Sequence, residues 1–305
     1  MQLGILYALL AYIIWGLLPL YIKSLHGVAP LEILLHRMVW SLAFLGAILL
    51  WRRHFGWLRD VAANPRLILN FAASAGLLCC NWFLYIWAVS ADRVVDASLG
   101  YFINPLFSVL LGVLLLHERL RPVQWVSIAI AAAGVFWLTW SAGQLPWIAL
   151  GLAASFGGYG LLRKTGALGA LEGLSLETLI LFPLAAAALG FLMLTGHDTT
   201  RGAATGTQIL LLLAGPITAV PLLFFAAGAR RIPLSLLGLL QYAGPTIQLL
   251  LGIWLYHEPF PVQKQIGYAL IWISLAIYAA EGLLVSRFAT KRIIDAKINQ
   301  HNDLR

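Results

Sequence analysis

Two prolines inside long apolar segments give the strongest chemical signal in this sequence. A proline in a helix removes one main-chain hydrogen bond and pushes away the carbonyl four residues earlier. Pro105 frees the carbonyl of Tyr101 in this way, and Pro245 does the same for Gln241. An unpaired carbonyl is costly in hydrocarbon, so it needs a polar cavity or a partner. We predict that the two proline-containing helices line a ligand cavity; kinks that serve helix packing alone are the alternative.

Aromatic side chains with polar tips form a second group. Trp and Tyr are common at membrane interfaces, but Tyr12 and Trp15 lie about 15 Å or more from the start of their helix at the usual rise per residue. Asn81 is also far from both ends of its segment, and deep polar groups in a membrane bundle face its interior. The predicted cavity suits a small amphipathic ligand, aromatic or cationic. Its predicted lining is Tyr12, Trp15, Asn81, Trp82, Tyr85, Tyr101, Asn104, Tyr159, Gln241 and Tyr242.

Ionisable residues inside or next to the apolar segments form a third group. Arg37 requires a counter-ion there, and Asp96 or Asp92 on a neighbouring helix is the natural candidate. His36 and Glu177 occupy corresponding places in the two halves of the chain. We interpret these two residues, with Arg37 and Asp96, as gating or proton-coupling residues. Snorkelling side chains and structural ion pairs at helix ends are the alternative.

The dipeptide His-Glu occurs at 117–118 and again at 257–258. Metal binding or acid–base chemistry would need the two pairs in one site, but they are predicted at opposite membrane faces. Pairing with the following helix explains them better. Cys79 and Cys80 are adjacent and diverge on a helix, so the sequence indicates neither a disulfide framework nor a metal site. We expect no metal, no cofactor and no enzymatic activity.

Helices that cross a membrane must position these residues. Of the 305 residues, 61% are hydrophobic and 10% are charged, whereas a soluble domain is about a quarter charged. The apolar runs are continuous and lack the alternation of barrel strands, which favours helices. The first run has no basic leader and no cleavage site, as is typical of a retained helix. The predicted spans are 3–21, 32–51, 67–89, 95–116, 122–140, 146–163, 175–195, 207–229, 234–256 and 262–284.

The sequence contains two copies of one unit. Segment 99–118 aligns with 239–258, and eight of twenty positions are identical, among them a Pro, a Gly and the His-Glu pair. Five spans per copy make the second copy enter the membrane from the opposite face, as in the inverted repeats of secondary transporters. We predict an all-α polytopic membrane protein with ten transmembrane helices in two inverted five-helix repeats. The predicted units are a first repeat (1–143), a second, inverted repeat (144–286) and a basic cytoplasmic tail (287–305).

The net charge of +8 fits the positive-inside rule. With the N-terminus in the cytoplasm, fifteen basic residues fall in the inner loops and tail, four in outer loops and one within a span. Short cytoplasmic loops carry such an excess of Lys and Arg. We predict that both termini are cytoplasmic and that the tail rests on anionic headgroups. Nucleic acid is not an expected partner.

Several segments also resemble a known family. They are AYIIWGLLPLYIK (11–23), PLEILLHRMVWS (30–41), NWFLYIWAV (81–89), ASLGYFINPL (97–106), LHERLRPVQW (116–125) and LQYAGPT (240–246). The chain resembles the EamA branch of the drug/metabolite transporter superfamily and, within it, the RarD-type permeases. The resemblance covers both copies. It implies a ten-helix permease of the bacterial inner membrane with cytoplasmic termini, and it implies no particular substrate.

We predict a secondary active transporter that exports small neutral, zwitterionic or aromatic metabolites or drugs, such as amino acids. No GxxxxGK[ST] loop indicates the use of ATP. An intramembrane enzyme would need a convergent catalytic set, which the sequence lacks. A passive channel would need a continuous polar stripe, whereas the polar residues are few and clustered. The expected partners are membrane lipid and a small-molecule substrate; proton coupling and the oligomeric state are left open.

Overall fold

The chain folds into long helices. The structure is a computed structural model and describes residues 2–116, 120–165, 167–229, 231–232 and 240–281. No strand occurs in these ranges. The helices are α1 (Gln2–Gly16), α2 (Leu18–Ser24), α3 (Pro30–Arg52), α4 (Trp57–Ala62), α5 (Pro65–Ser90), α6 (Val94–Leu116), α7 (Pro122–Ala142), α8 (Trp147–Thr165), α9 (Ala170–Thr195), α10 (Thr205–Ala229), α11 (Ala243–Leu250) and α12 (262–281). A π-helical turn, Leu251–Leu255, continues α11.

Prolines and one capping residue fix where several helices begin. Pro30, Pro65 and Pro122 start α3, α5 and α7. At the first helical position the missing N–H costs no hydrogen bond, and the fixed φ favours the helix. Asn64 caps α5, because its Oδ1 accepts the N–H of Leu67 at 3.3 Å. Each apolar run therefore starts at a defined residue.

The described part of the chain contains six helical segments that are long and apolar enough to cross a membrane. They are Gln2–Ser24, Pro30–Arg52, Pro65–Ser90, Pro122–Ala142, Leu171–Thr195 and Thr205–Phe225, and two shorter apolar helices cover Val94–Phe107 and Ala243–Leu255. Because hydrocarbon offers no hydrogen-bond partners, a helix that satisfies its own main chain is the favoured spanning element. Over its described residues, the chain is an all-helical, multi-pass membrane protein.

Each predicted apolar run overlaps a helix, but three local features differ from the prediction. The first run is broken, because α1 ends at Gly16 and α2 begins at Leu18. The connection before α5 contains the short helix α4, which buries Trp57. The ninth run has a turn at residues 241–242 before α11 begins. A hydropathy pattern cannot locate such breaks, since the apolar character continues through them.

Successive spans run in alternating directions, with α1 and α2 together forming the first span, so the bundle has two ends. We call them the Gln2 end, where α1 begins, and the Ser24 end, where α2 ends. The most extensive helix contacts join the first half of the chain to the second: α1 and α3 pack on α10, α3 packs on α9, and α5 and α6 pack on α8. The halves are also joined by α7 and α12, where Trp137 Nε1 donates to the carbonyl of Gln263 at 3.0 Å. The centre of the bundle is therefore the interface between the two halves.

Glu258 fixes the start of α6. Its Oε1 accepts the N–H of Val94 at 2.7 Å, and its Oε2 accepts the N–H of Val95 at 2.8 Å. The first N–H groups of a helix have no partner within it, and a carboxylate suits their partial positive charge. The prediction that Glu258 pairs with the following helix was therefore wrong. The residues His117 and Glu118 and the predicted tail lie outside the described residues.

Two glycines allow helices of opposite halves to approach closely. A Cβ at Gly100 of α6 would lie 2.9 Å from the carbonyl oxygen of Ala149 on α8. A Cβ at Gly215 of α10 would collide with the main chain of Trp40 on α3. Small residues at helix crossings are typical of membrane bundles, where close packing replaces the hydrophobic effect. These crossings hold the two halves together around the central space.

Candidate functional site

A cavity of about 540 Å³ lies between the two halves of the chain. Helices α1, α2, α3, α5 and α6 contribute to its wall from the first half, and α8 to α11 contribute from the second. It extends from the middle of the bundle toward the Gln2 end, where Arg163 and Leu174 line it. A mostly apolar wall with a few polar groups is typical of sites for small organic molecules.

Nine of the ten residues predicted for a cavity line this space. They are Tyr12, Trp15, Asn81, Trp82, Tyr85, Tyr101, Asn104, Tyr159 and Gln241. The tenth, Tyr242, lies elsewhere: its ring stacks on that of Phe102, with the centroids 6.5 Å apart, in a separate hydrophobic cluster. Adjacent residues in a helical turn point in different directions. Gln241 faces the cavity, and the prediction for Tyr242 is corrected.

Asn81 is a deep amide that finds its partners across the interface. Its Nδ2 donates to the carbonyl of Leu152 at 3.1 Å and to Oγ of Ser155 at 3.0 Å. Its Oδ1 accepts the Tyr101 hydroxyl at 3.5 Å. A buried amide that is satisfied in this way stabilises one arrangement of its neighbours. Asn81 ties α5 to α8 and orients Tyr101 in the cavity wall.

Aromatic rings form two opposite parts of the wall. Next to α1, the rings of Tyr12, Trp15 and Phe225 contact one another with centroids 5.7 to 6.1 Å apart. Next to α6, Tyr101 lies edge-on to Tyr85 with the centroids 5.6 Å apart. Edge-to-face contact is the preferred geometry of aromatic pairs. A planar ring of a solute can pack between these two groups.

A helix break brings main-chain and amide groups of the second half to the cavity. Residues 241–242 form a turn and α11 begins at Ala243, so Pro245 lies in the first turn of a helix. A proline in this position costs no main-chain hydrogen bond. The predicted kink at Pro245 is therefore a break, whereas Pro105 lies inside α6. Both Gln241 and Pro245 line the cavity.

The guanidinium of Arg37 lies in the cavity wall over the indole of Trp82. Its Cζ is 4.4 Å from the ring centroid, a distance typical of cation–π contact. Its Nε donates to Oγ1 of Thr218 at 2.7 Å. Thr218 in turn donates to the carbonyl of Ala214 at 2.7 Å, which fixes the direction of its hydroxyl. Arg37 is thus held by a hydrogen bond from its Nε and by the contact of one face of its guanidinium with the indole ring.

The predicted ion pair between Arg37 and Asp92 or Asp96 is wrong. Asp92 pairs with Lys23, and Asp96 pairs with Lys264 at 3.0 Å. Both pairs lie at the Ser24 end, beyond the cavity. Within the described ranges, no carboxylate lies within ion-pair distance of Arg37. The sequence separation of these residues gave no indication of which aspartate faces which cation.

The structure places His36 at the Ser24 end, outside the cavity wall. Its Nδ1 accepts the indole N–H of Trp40 at 3.2 Å. Glu32, one turn earlier, is buried and accepts the N–H of Thr199 at 2.8 Å. These contacts attach the connection after α9 to the start of α3. They do not bring His36 to a solute in the cavity.

Glu177 is fully buried behind the cavity wall near the Gln2 end. It accepts hydrogen bonds from the hydroxyl of Ser74 and, at 3.4 Å, from the hydroxyl of Tyr159. Nη1 of Arg163 lies 3.8 Å away. Since Tyr159 and Arg163 both line the cavity, a change at Glu177 reaches the cavity through two side chains. The charge of Arg163, unlike that of Arg37, has a carboxylate beside it.

Four polar atoms of cavity-lining residues have no hydrogen-bond partner in the described ranges: Tyr85 Oη, Asn104 Oδ1, Arg163 Nη1 and Gln248 Oε1. Tyr85 and Gln248 are only 2% and 3% exposed. Nε2 of Gln248 donates to the carbonyl of Trp15 at 3.0 Å, which fixes that side chain. Leaving a buried polar atom unpaired costs roughly 1–3 kcal/mol. These atoms are available to a solute.

Sequence reasoning missed four residues that build this site: Arg163, Thr218, Phe225 and Gln248. Gln248 follows Gln241 by seven residues, two helical turns, and this spacing could have identified it. Arg163 was assigned to an inner loop, but it lies within α8. A threonine and a phenylalanine in an apolar helix carry no comparable sequence signal.

The described residues contain no group of three or more His, Cys, Asp or Glu that could hold a metal ion. Cys79 and Cys80 are free thiols, the first partly buried and the second exposed. The groups that face the cavity are aromatic rings, hydroxyls, amides and guanidinium groups. Such groups bind organic solutes by packing and hydrogen bonds.

Several known proteins are similar to this chain in sequence or in fold. The profile of the EamA-like transporter family matches residues 2–140. The uncharacterized transporter YojE of Bacillus subtilis is 46% identical over 90% of this chain and 93% of its own length. The protein RarD of Escherichia coli is 41% identical over 94% of this chain and 97% of its own length. One crystal structure is similar with a TM-score of 0.58 at 20% identity, over 90% of this chain and 96% of that chain, which shows the fold alone.

Proposed function

Because the chain belongs to the EamA-like transporter family and to its RarD group, we propose that this membrane transporter is a secondary active exporter that works by alternating access. Its solutes are small neutral, zwitterionic or aromatic metabolites or drugs, amino acids among them, and its location is the bacterial inner membrane. The observation that carries the proposal is the cavity of about 540 Å³ between the two halves. This volume suits a small organic molecule.

The contacts between helices support a duplicated architecture of ten membrane helices. If the first five spans are exchanged with the last five, the packing of α1 on α10 becomes that of α8 on α5, and the packing of α3 on α10 becomes that of α9 on α5. All four contacts exist. The pairs α6–α8 and α1–α11 correspond in the same way. A pattern that maps onto itself is expected for inverted repeats, here residues 1–143 and 144–286.

Equivalent residues of the two copies also meet at the cavity. The sequence alignment pairs Tyr12 with Phe156 and Tyr101 with Gln241, and all four line the same space. Two copies of one unit in opposite orientations can exchange conformations of similar energy, one open to each side. This symmetry is the mechanical basis of the proposed alternating access.

The ends of the bundle differ in a way that fits one state of such a cycle. At the Ser24 end, Lys23 pairs with Asp92, Asp96 pairs with Lys264, and Glu258 caps α6. The cavity instead extends toward the Gln2 end. With the orientation that the basic residues favour, the Gln2 end and residues 287–305 are cytoplasmic. The described conformation is then closed on the outer side.

The site fits two other functions less well, those of an intramembrane enzyme and of a passive channel. An enzyme needs a nucleophile and a base, or a metal, directed at one point. The cavity wall presents mainly rings, hydroxyls and amides instead. A channel needs a path open at both ends, whereas ion pairs occupy the Ser24 end. The clustered polar groups favour a carrier.

Alternating access is tested by labelling a cysteine in the cavity from each side of the membrane. The background is Cys79→Ala with Cys80→Ala, and the reporter is Asn104→Cys. An impermeant maleimide applied to right-side-out and to inside-out vesicles measures access from each face. Loosening the Ser24 end with Asp92→Ala and Glu258→Ala should raise labelling from that side and lower it from the Gln2 side. A reciprocal change of this kind is the signature of a carrier.

The control reporter is Arg59→Cys, which lies in the exposed part of α4 at the Gln2 end. Its labelling should be the same in both backgrounds. If the loosened variant instead gains labelling from one side without losing it from the other, the protein is a channel and the proposal fails. Counterflow of tracer L-phenylalanine and benzoate in proteoliposomes then measures transport, since only a carrier shows stimulation by solute on the opposite side.

A further inference from the structure

We propose that the cavity recognises the carboxylate of its solute through Arg37, so that the transported compounds are aromatic monocarboxylates. This inference rests on the proposed transport function and names the substrate class of the same site. The sequence alone predicted Arg37 as a gating or coupling residue and did not include it in the cavity lining. The structure places a guanidinium in the wall instead.

Arg37 carries a positive charge that no described carboxylate compensates by an ion pair. The residue is only 7% exposed and lies in the middle of the bundle. A buried charge is normally paired or coordinated, because removing it from water is expensive. The carboxylate nearest in sequence, Glu32, accepts the N–H of Thr199 and forms no ion pair with Arg37. Asp92 and Asp96 are paired with lysines at the Ser24 end. An anionic solute would supply the missing partner.

The guanidinium of Arg37 is held in one orientation by its neighbours. Thr218 holds Nε at 2.7 Å, and the indole of Trp82 covers one face. In the described part of the chain, neither terminal nitrogen of Arg37 has a hydrogen-bond partner. A guanidinium presents its nitrogens as a rigid fork that matches a carboxylate with two parallel hydrogen bonds. The fork of Arg37 is oriented before the solute arrives.

A hydroxyl group without a hydrogen-bond partner in the described ranges, that of Tyr85, lies beside the cavity. This hydroxyl can donate to a carboxylate oxygen. Tyr85 lies one helical turn after Trp82, the residue that contacts the Arg37 guanidinium, so both side chains lie on the same face of α5, and Tyr85 and Arg37 line the same cavity. Hydrogen bonds to an ionised group are roughly twice as strong as those between neutral groups. One donor and one charge thus converge.

The aromatic rings of the cavity wall favour a solute that carries an aromatic ring. The rings of Tyr12, Trp15 and Phe225 on one side and of Tyr101 on the other offer flat apolar surfaces. An aromatic ring packs on such surfaces and gains roughly 0.5–1.5 kcal/mol per ring contact beyond burial. No described carboxylate lines the cavity, so an amino group on the solute gains no ionic partner there. The other guanidinium of the wall, that of Arg163, already has the carboxylate of Glu177 at 3.8 Å, so the second charge of a phosphate or dicarboxylate would find no uncompensated cation.

The test compares four compounds that share one ring and differ in charge: phenylacetate, phenylacetamide, phenethylamine and L-phenylalanine. Binding to the purified full chain is measured by thermal shift and titration, and exchange by counterflow in proteoliposomes. We expect phenylacetate to bind about tenfold more tightly than the neutral amide, which corresponds to the gain from a charged bidentate hydrogen bond. L-Phenylalanine should bind no more tightly than phenylacetate.

The matched variants are Arg37→Gln and Arg231→Gln. Both remove one positive charge, but Arg231 is exposed at the Gln2 end and lies over Tyr7. Arg37→Gln should weaken phenylacetate about tenfold and leave the amide within about twofold, while Arg231→Gln changes neither. If Arg37→Gln fails to fold, Tyr85→Phe replaces it and should weaken phenylacetate alone.

The outcomes separate this inference from the transport function. If phenylacetamide or phenethylamine binds as tightly as phenylacetate, or if Arg37→Gln binds phenylacetate normally, the carboxylate proposal is overturned while reciprocal labelling of the cavity reporter still supports a carrier. If the wild-type chain exchanges none of the four compounds although its cavity reporter alternates, the substrate class is also wrong. If the reporter does not alternate, the transport function itself falls.

Discussion

Glu258 and Val94 are 164 residues apart in the sequence, yet the carboxylate Oε1 accepts the Val94 N–H at 2.7 Å. The contact crosses from the second half of the chain to the first turn of α6. Beside it at the Ser24 end lies the pair between Lys264 and Asp96, which also joins the two halves. A capped helix and an ion pair at the same end hold the two halves together there.

Removing this cap should destabilise the protein. Loss of a side-chain cap costs about 0.5–2 kcal/mol, and Glu258 serves two N–H groups. We expect Glu258→Ala to lower the midpoint of thermal unfolding of the purified protein by several degrees. Asp60→Ala is the control, because Asp60 is exposed on α4. Equal midpoints for the two variants would mean that the cap contributes nothing.

The positions of the helices could be predicted from the sequence because hydrophobicity and helix length are local properties. Pro30, Pro65 and Pro122 begin their helices in the structure at the places where the apolar runs begin. The break at residues 241–242 could not be located, because the chain there stays apolar on both sides. A helix break depends on which groups of other helices satisfy its main chain.

The partners of the site residues could not be predicted in the same way. The interior position of Asn81 could be predicted, because a deep amide avoids lipid. Assigning Asp96 to Arg37 required the relative height and rotation of two helices, which the sequence does not contain, and it was wrong. The contact between Arg37 and Thr218 spans 181 residues. Long-range pairing of this kind is a property of the packed halves.

A methyl group at Gly100 should disturb the contact between α6 and α8. Its Cβ would lie 2.8 Å from Cβ of Leu152 and 2.9 Å from the Ala149 carbonyl oxygen. Overpacking of a tight contact costs about 1–3 kcal/mol, so Gly100→Ala should lower the unfolding midpoint. Gly76→Ala is the matched control: it has open space, and a helical alanine gains up to about 1 kcal/mol over glycine. A stable Gly100→Ala protein would show that the two helices can separate.

Two adjacent residues should respond differently to substitution. Gln241 lines the cavity, whereas Tyr242 stacks on Phe102 away from it. We expect Gln241→Leu to reduce counterflow at least severalfold without changing the unfolding midpoint. Tyr242→Phe keeps the stacked ring and loses only the hydrogen bond of its hydroxyl with the Gln241 side chain, so it should retain most of the transport. Normal transport by Gln241→Leu would show that the helix break serves packing alone.

Glu177 is the acid through which we expect a proton gradient to drive transport. It is fully buried, it accepts hydrogen bonds from Ser74 and Tyr159, and Arg163 lies 3.8 Å from it. When Glu177 takes up a proton, it loses its ionic attraction to Arg163, and when it releases the proton, it regains this attraction. Either change alters the contacts of Tyr159 and Arg163, which both line the cavity. Glu177→Gln keeps the shape and the acceptor oxygen but cannot ionise.

The variant should therefore separate exchange from driven transport. Counterflow needs no driving force and should persist in Glu177→Gln, whereas uptake into vesicles driven by an imposed pH gradient should disappear. Glu172→Gln is the matched control, because Glu172 lies on the same helix and pairs with His54 at 2.8 Å near the surface; it should keep both activities. If Glu177→Gln still accumulates solute in response to the pH gradient, another group carries the proton, or the membrane potential alone drives the cycle.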